Sequence, residues 1–162
     1  MKYMVLLMIL IPALLLGEEE KNDDHNNLPT GFLARDQILS LEIYNRRYAD
    51  YSPKPDAVQA IHNFAGTAEI KVVFGDWCSD SKKHIPAFLK TLEAADNKNL
   101  PILYLNVDRH IKEPAELLTG LNITHVPTII VSVGGQEIGR IVETPKSSVE
   151  QDLADILVAS AH

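Results

Sequence analysis

The chain has one cysteine in 162 residues, and that scarcity excludes a good deal. Cys78 has no partner within the chain, so no internal disulfide can form and no dithiol–disulfide cycle can run unaided. No cysteine follows the apolar stretch near the N-terminus, so a lipoprotein's lipid would have no point of attachment. Positive charge is also short: 15 Lys and Arg stand against 22 Asp and Glu, for a net charge of -7. A surface built to neutralise phosphates is not expected from that balance, and nucleic acid is not expected as a partner. No internal repeat is visible, and the length suits one ordinary domain.

An uncharged run, Tyr3 to Leu16, follows Lys2, and the apolar character ends abruptly at Glu18-Glu19-Glu20. At helical rise it spans about 21 Å, short of the roughly 30 Å hydrocarbon core of a bilayer. A basic start and a short apolar segment predict a secretory signal peptide over residues 1–17. Leu15 and Gly17 supply only one small residue for cleavage, so a retained N-terminal anchor stays open. The expected localisation is exported, periplasmic or extracellular. Residues 18–30 are acidic and Asn-rich without apolar periodicity, and predict a flexible tether. Residues 31–162 then form the domain, with order beginning near Phe32.

Ile38, Leu41, Tyr44, Tyr48 and Tyr51 recur at spacings of three and four, which predicts one amphipathic helix ended by Ser52-Pro53-Lys54-Pro55. Asp56 is expected to cap a second short helix running to about Asn63. From Ala68 the pattern alternates. Strands are predicted over 70–74, 102–107, 128–133 and 137–142, the last two joined by Gly134-Gly135 as a hairpin. Helices are predicted over 79–95, between Pro114 and Gly120, and after a capping box of Ser147 and Glu150. Strand–helix–strand units imply parallel pairing with right-handed crossovers, and the hairpin adds an antiparallel edge. The expected fold class is therefore α/β, a mixed central sheet with helices on both faces and an N-terminal helical extension.

Gly75-Asp76-Trp77-Cys78-Ser79-Asp80-Ser81-Lys82 lies at the carboxyl end of the first of these strands and opens the next helix. Chemistry in open α/β sheets concentrates in that crevice. Unpaired N–H groups and the macrodipole at a helix start favour a thiolate there, so Cys78 is a candidate nucleophile. The bland alternative is a small buried hydrophobe. Ser81, one turn on, is placed to donate a hydrogen bond to the thiolate. Lys82 and Lys83 add positive charge, which Asp76 and Asp80 oppose. A metal pair of Cys78 and His84 fits poorly, because six helical residues leave them about 120° apart. His125 suits a second ligand better, but too few further ligands can be placed, so no metal is expected. No other cofactor is expected either.

These residues resemble the thioredoxin superfamily, over about Ala68 to the C-terminus. Trp77-Cys78-x-x-Ser81 is similar to its redox motif with the second cysteine replaced by serine. Pro86 stands where the family has the proline that kinks its active-site helix. Val126-Pro127-Thr128 is similar to its cis-proline segment, and Gly135 to its hairpin glycine. Asp76-Trp77-Cys78 with Asp80-Ser81 further resembles bacterial thioredoxin-like proteins that carry a Trp-Cys-x-Asp-Cys or Trp-Cys-x-Asp-Ser motif. The resemblance implies a thioredoxin-like fold, Cys78 as nucleophile, and a docking wall of Trp77, Val126 and Pro127. A cis peptide at Val126–Pro127 would keep a metal off and leave backbone groups open to an extended client. Many thioredoxins keep a buried acid in the strand before the motif; the matching position is Val72. Proton transfer then falls to solvent, Asp76, Asp80 or His125.

With one thiol, attack on a disulfide stops at the mixed disulfide until another thiol resolves it. The expected activity is monothiol thiol–disulfide exchange, as mixed-disulfide formation, reduction or isomerisation. Its partners would be exported protein thiols or disulfides, or a low-molecular-weight thiol. The rival reading is a catalytically silent thioredoxin-fold binding module for a protein partner. The Pro-x-x-x-Thr/Ser-x-x-Cys pattern of peroxiredoxins is absent around Cys78, which argues against a peroxide-reducing thiol.

Overall fold

The structure, a computed structural model, describes residues 27–160. The signal peptide expected at 1–17 and most of the tether expected at 18–30 lie outside the described residues. Among the described residues no helix is long and apolar enough to cross a membrane.

Five strands form one sheet, β1 (Gly31–Leu33), β2 (Glu69–Phe74), β3 (Ile102–Asn106), β4 (Thr128–Val133) and β5 (Gln136–Val142), in the order β1-β3-β2-β4-β5. β2 and β3 run parallel, with Val72 opposite Tyr104, while β4 lies antiparallel to β2 and β5 to β4. The β4–β5 turn falls on Gly134 and Gly135, both at positive φ (58° and 81°), a conformation that glycine adopts without Cβ strain. The mixed α/β sheet follows the expected thioredoxin-like order.

Alternation along β2 sorts the core. Ile70, Val72 and Phe74 point to one face, packed with Ile85, Phe88 and Leu89 of α4 (Ser79–Ala95) and Leu153 and Leu157 of α6 (Val149–Ala159). Val73 points to the other face and joins Leu105, Val107 and Val126 in a smaller cluster, which Leu117 and Leu118 of α5 (Ala115–Leu118) cover. Helices thus lie on both faces, unequally: the long ones share one face, and a single turn guards the other.

Four local readings change. The helix expected through Tyr51 is broken into α1 (Arg35–Leu39) and α2 (Glu42–Asp50), because Leu41 is extended at φ -74°, ψ 123°. Asp56 does not cap α3 (Pro55–His62); the helix begins one residue earlier, on a proline whose fixed φ suits a first turn. The cap of α6 is Ser148, whose Oγ accepts from the Gln151 N–H at 3.4 Å, not Ser147. β1 was not expected at all: three residues carry too little pattern, and pairing to β3 supplies what they lack.

Glu150 is drawn away from any capping box. It is 1 % exposed and accepts from the Tyr51 hydroxyl at 2.8 Å and the Lys54 N–H at 3.3 Å. Burial pushes its pKa up, but the Tyr51 hydroxyl and neighbouring backbone and hydroxyl donors outweigh burial and hold it below the ordinary 4.5. His84 is held below its ordinary 6.5 by burial first and Lys83 second, with Asp80 opposing. Both groups bind protons more weakly folded than unfolded, so their stabilisation is complete at neutral pH and is lost on acidification. Loss should begin near pH 6.5 with His84 and deepen below 4.5 with Glu150. Urea melts at pH 7, 5.5 and 4 check this: stability should fall stepwise, and Glu150→Gln should cost about 1–3 kcal/mol at pH 7 and flatten the lower step.

Candidate functional site

Strand β2 ends at Phe74, and the chain turns through Gly75, Asp76 and Trp77 to the start of α4. Cys78 is the N-cap of that helix, with extended backbone (φ -80°, ψ 131°). Its N–H donates to the Gly75 carbonyl at 2.9 Å, closing the turn, and its carbonyl accepts the first helical bond from the Lys82 N–H at 3.0 Å. The sulfur thus stands at the start of the helix, and the Cys78 side chain makes no cap hydrogen bond to the N–H groups of the first turn. It is half-buried, and the thiol donates to the Val126 carbonyl at 3.2 Å. The Val126–Pro127 peptide is cis. Both residues are buried, and the Pro127 carbonyl accepts from the Glu143 N–H at 2.7 Å, tying this segment to the end of β5.

Trp77 lies half-buried beside the thiol. Its indole N–H donates to the Val107 carbonyl at 2.9 Å, and the Arg109 guanidinium sits 5.8 Å from the ring centre. The ring rests on Gly75 so closely that a Cβ there would stand 2.6 Å from Nε1. Cys78, Trp77, Val126 and Pro127 are thus brought together.

Ser81 sits one turn into α4 with no exposed surface. Its hydroxyl accepts from the Gly75 N–H at 3.2 Å, so the hydrogen bond it makes runs to the turn backbone. Ser81 supports the loop that presents Cys78, a contact the spacing of residues could not disclose.

Asp76 is placed differently from a proton acceptor waiting in the crevice. It is 7 % exposed, and its Oδ2 accepts from the Leu28 N–H at 2.6 Å. Its own N–H donates to Asn106 Oδ1 at 3.1 Å, and Asn106 Nδ2 donates to the carbonyls of Leu28 and Pro29 at 3.1 and 3.2 Å. Among the described residues Leu28 and Pro29 make these contacts, ahead of Phe32, and both are held against the turn that carries the thiol. Asp80 is half-exposed. His125 is exposed, its Nδ1 3.0 Å from Thr124 Oγ1. Among the described residues no cluster of three or more His, Cys, Asp or Glu is placed to hold a metal.

Tyr44 escaped the sequence reading because it occupies one apolar-looking step of a helical stripe. It is fully buried, 6.2 Å centre to centre from Phe74, and its hydroxyl has no hydrogen-bond partner among the described residues. Burial first, then the charges of Asp76 and Cys78, push its pKa up.

An α/β sheet with a lone thiol at the start of its central helix, facing a cis-proline, defines a thioredoxin-type site. The family model described as Thioredoxin matches residues 28–155, and the chain belongs to that family. Among curated proteins none matches. Of solved structures, a protein of unknown function from Pseudomonas aeruginosa is similar at 15 % identity and a TM-score of 0.52, over 75 % of this chain and 82 % of that one. An HIV epitope-scaffold is similar at 14 % identity and a TM-score of 0.51, over 74 % and 81 %. At such identities they share the fold. Family and fold together support a role in thiol–disulfide exchange in general.

Proposed function

We propose that this protein is a one-thiol exchange protein acting on exported protein thiols and disulfides or on a low-molecular-weight thiol. The observation that carries the reading is the Cys78 thiol at the N-cap of α4, half-exposed and 3.2 Å from the carbonyl of Val126.

The Cys78 thiol loses its proton to solvent, and the thiolate attacks one sulfur of a client disulfide. The new bond joins Cys78 to that sulfur; the old S–S bond breaks, and its electron pair leaves on the other sulfur as thiolate. No net oxidation of the pair of molecules occurs. A second thiolate, from outside the chain, then attacks the mixed disulfide and returns Cys78. Once the Cys78 proton has gone, the Val126 carbonyl loses its donor and becomes available to an N–H of an extended client. Trp77 and Pro127 flank that client, and Ser81 holds the Gly75 turn in place.

Residues 1–17 are proposed to direct export, placing the domain in the periplasm or outside the cell. In an oxidising compartment a lone thiol meets disulfides rather than a reducing pool.

Cys78 is expected to form a mixed disulfide with glutathione disulfide at pH 7 faster than free cysteine does, read by intact mass. A rate no greater than that of free cysteine would overturn the reading and leave the fold as a silent binding module.

A further inference from the structure

The chain carries a net charge of -7, yet Arg109, His110 and Lys112 fall together in the loop that follows β3. All three are exposed, and none has a carboxylate within ion-pair distance among the described residues. No step of thiol exchange uses this loop.

The loop is braced from within. The Asp108 carboxylate accepts from the N–H groups of His110, Lys112 and Glu113 at 3.1, 2.7 and 2.8 Å, and the Asp108 N–H donates to the Glu113 carbonyl at 3.2 Å. Glu113 Oε2 accepts from the Ala115 N–H at 3.2 Å. Both acids that flank the cations are thus turned onto backbone. Ile111 takes φ 56°, an unfavourable conformation for a β-branched residue, and packs against the cluster of Val73, Leu105, Val107 and Val126. That contact fastens the loop to the residues around Val126, whose carbonyl meets the thiol.

Arg109 is the member that reaches the site. Its guanidinium, 5.8 Å from the Trp77 ring centre, is within cation–π range. The ring itself is fixed, its N–H on the Val107 carbonyl at 2.9 Å and its face closing on Gly75. A guanidinium stacked in this way keeps its planar fork of donors and loses little freedom on gripping an acid. Because Trp77 precedes Cys78, the fork stands over one flank of the docking wall. Of the acids nearby, Asp76 is turned inward to the Leu28 N–H at 2.6 Å, and Asp80 lies on the first turn of α4.

We propose that Arg109 is a specificity-determining residue, selecting disulfides that carry a carboxylate beside the attacked sulfur by pairing with that carboxylate at the Trp77 face. His110 and Lys112 add a local positive field that draws such partners in. The proposal rests on Cys78 as the exchanging thiol and names the class of partner it prefers. The carboxylate belongs to an acidic residue next to a client's cysteine or to a small acidic disulfide.

The full chain, offered the disulfide-linked dimers of acetyl-Glu-Cys-amide and acetyl-Gln-Cys-amide, tests this, with mixed-disulfide formation followed by intact mass. The two dimers differ in charge and hardly in shape, and their rates with Arg109→Gln correct for their own reactivity. The Glu-to-Gln rate ratio should be about fivefold higher with Arg109 than with Arg109→Gln, the upper range for an exposed ion pair. That advantage should collapse at about 1 M salt, where screening acts within about 3 Å. Arg109 is exposed, so the variant should keep the fold and its rate with the Gln dimer. Alkylation of Cys78 by iodoacetate and by iodoacetamide gives the same comparison without a disulfide. Dependence on Arg109 with the Glu dimer assigns the preference to client side chains, and dependence confined to iodoacetate assigns it to small acids. Equal slowing of charged and neutral reagents by Arg109→Gln, or ratios unchanged in both pairs, would overturn the proposal. Exchange no faster than that of free cysteine, with the ratios still dependent on Arg109, would sink the thiol-exchange reading alone.

Discussion

Ser81→Cys is expected to convert a reagent that stops after one exchange into a catalyst that turns over. The parent chain should consume about one equivalent of disulfide and stall as a mixed disulfide unless excess thiol is added. In the variant a second thiol stands three residues on, where helical neighbours have Cβ atoms about 5–6 Å apart. A small adjustment at the Cys78 N-cap brings such a pair to disulfide distance. The new thiol attacks the mixed disulfide, releases the client's second thiol and leaves an internal disulfide for an external dithiol to reduce. Insulin reduction with limiting reductant should rise at least about tenfold per chain. The change has a cost, since the Gly75 N–H exchanges a hydroxyl acceptor at 3.2 Å for a weaker sulfur one, worth about 1 kcal/mol. An oxidised variant whose mass shows no internal disulfide would refute this account of what the site lacks.

Gly75→Ala is expected to have the largest structural effect of any single methyl added near the thiol. The added Cβ would fall 2.6 Å from Nε1 and 2.8 Å from Cζ2 of Trp77, so the rigid indole must swing away. That breaks its bond to the Val107 carbonyl and uncovers the small apolar cluster of Val73, Leu105, Val107 and Val126. Overpacking of this kind costs about 1–3 kcal/mol. Trp77 is the single tryptophan of the chain, so its emission reports the event directly: a red shift in the folded variant, together with slower mixed-disulfide formation. An unshifted emission maximum would show that the turn absorbs the methyl by another route.

The strands and long helices were legible because their patterns repeat. β-branched runs bounded by glycine marked β2, β4 and β5, and the stripe of Ile85, Phe88 and Leu89 marked α4. The thiol, the cis-proline segment and Trp77 could be grouped through the resemblance to the thioredoxin superfamily. What could not be read were contacts between elements far apart in sequence. Nor could the turn geometry be read: Ser81 was expected to donate to the sulfur, and its oxygen also accepts from the Gly75 N–H across the turn. Asp76 looked like a free acid until Leu28 supplied the N–H it holds, 48 residues away in sequence. Glu150 fitted a capping box by spacing, yet Tyr51, from another helix, offered a better donor in a buried place. For Asp76 and Glu150 the tertiary fold provided partners that no local rule could name.

The bond from Leu28 to Asp76 also has a mechanical meaning. A pull on the chain ahead of Leu28 would act first on that hydrogen bond, on the Asn106 bonds to Leu28 and Pro29, and on the short pairing of β1 with β3. The core bears load only after these yield. Since Asp76 stands two positions before Cys78, tension on the chain ahead of Leu28 would arrive at the Cys78 sulfur before it reached the body of the protein, and slack would leave the sulfur undisturbed.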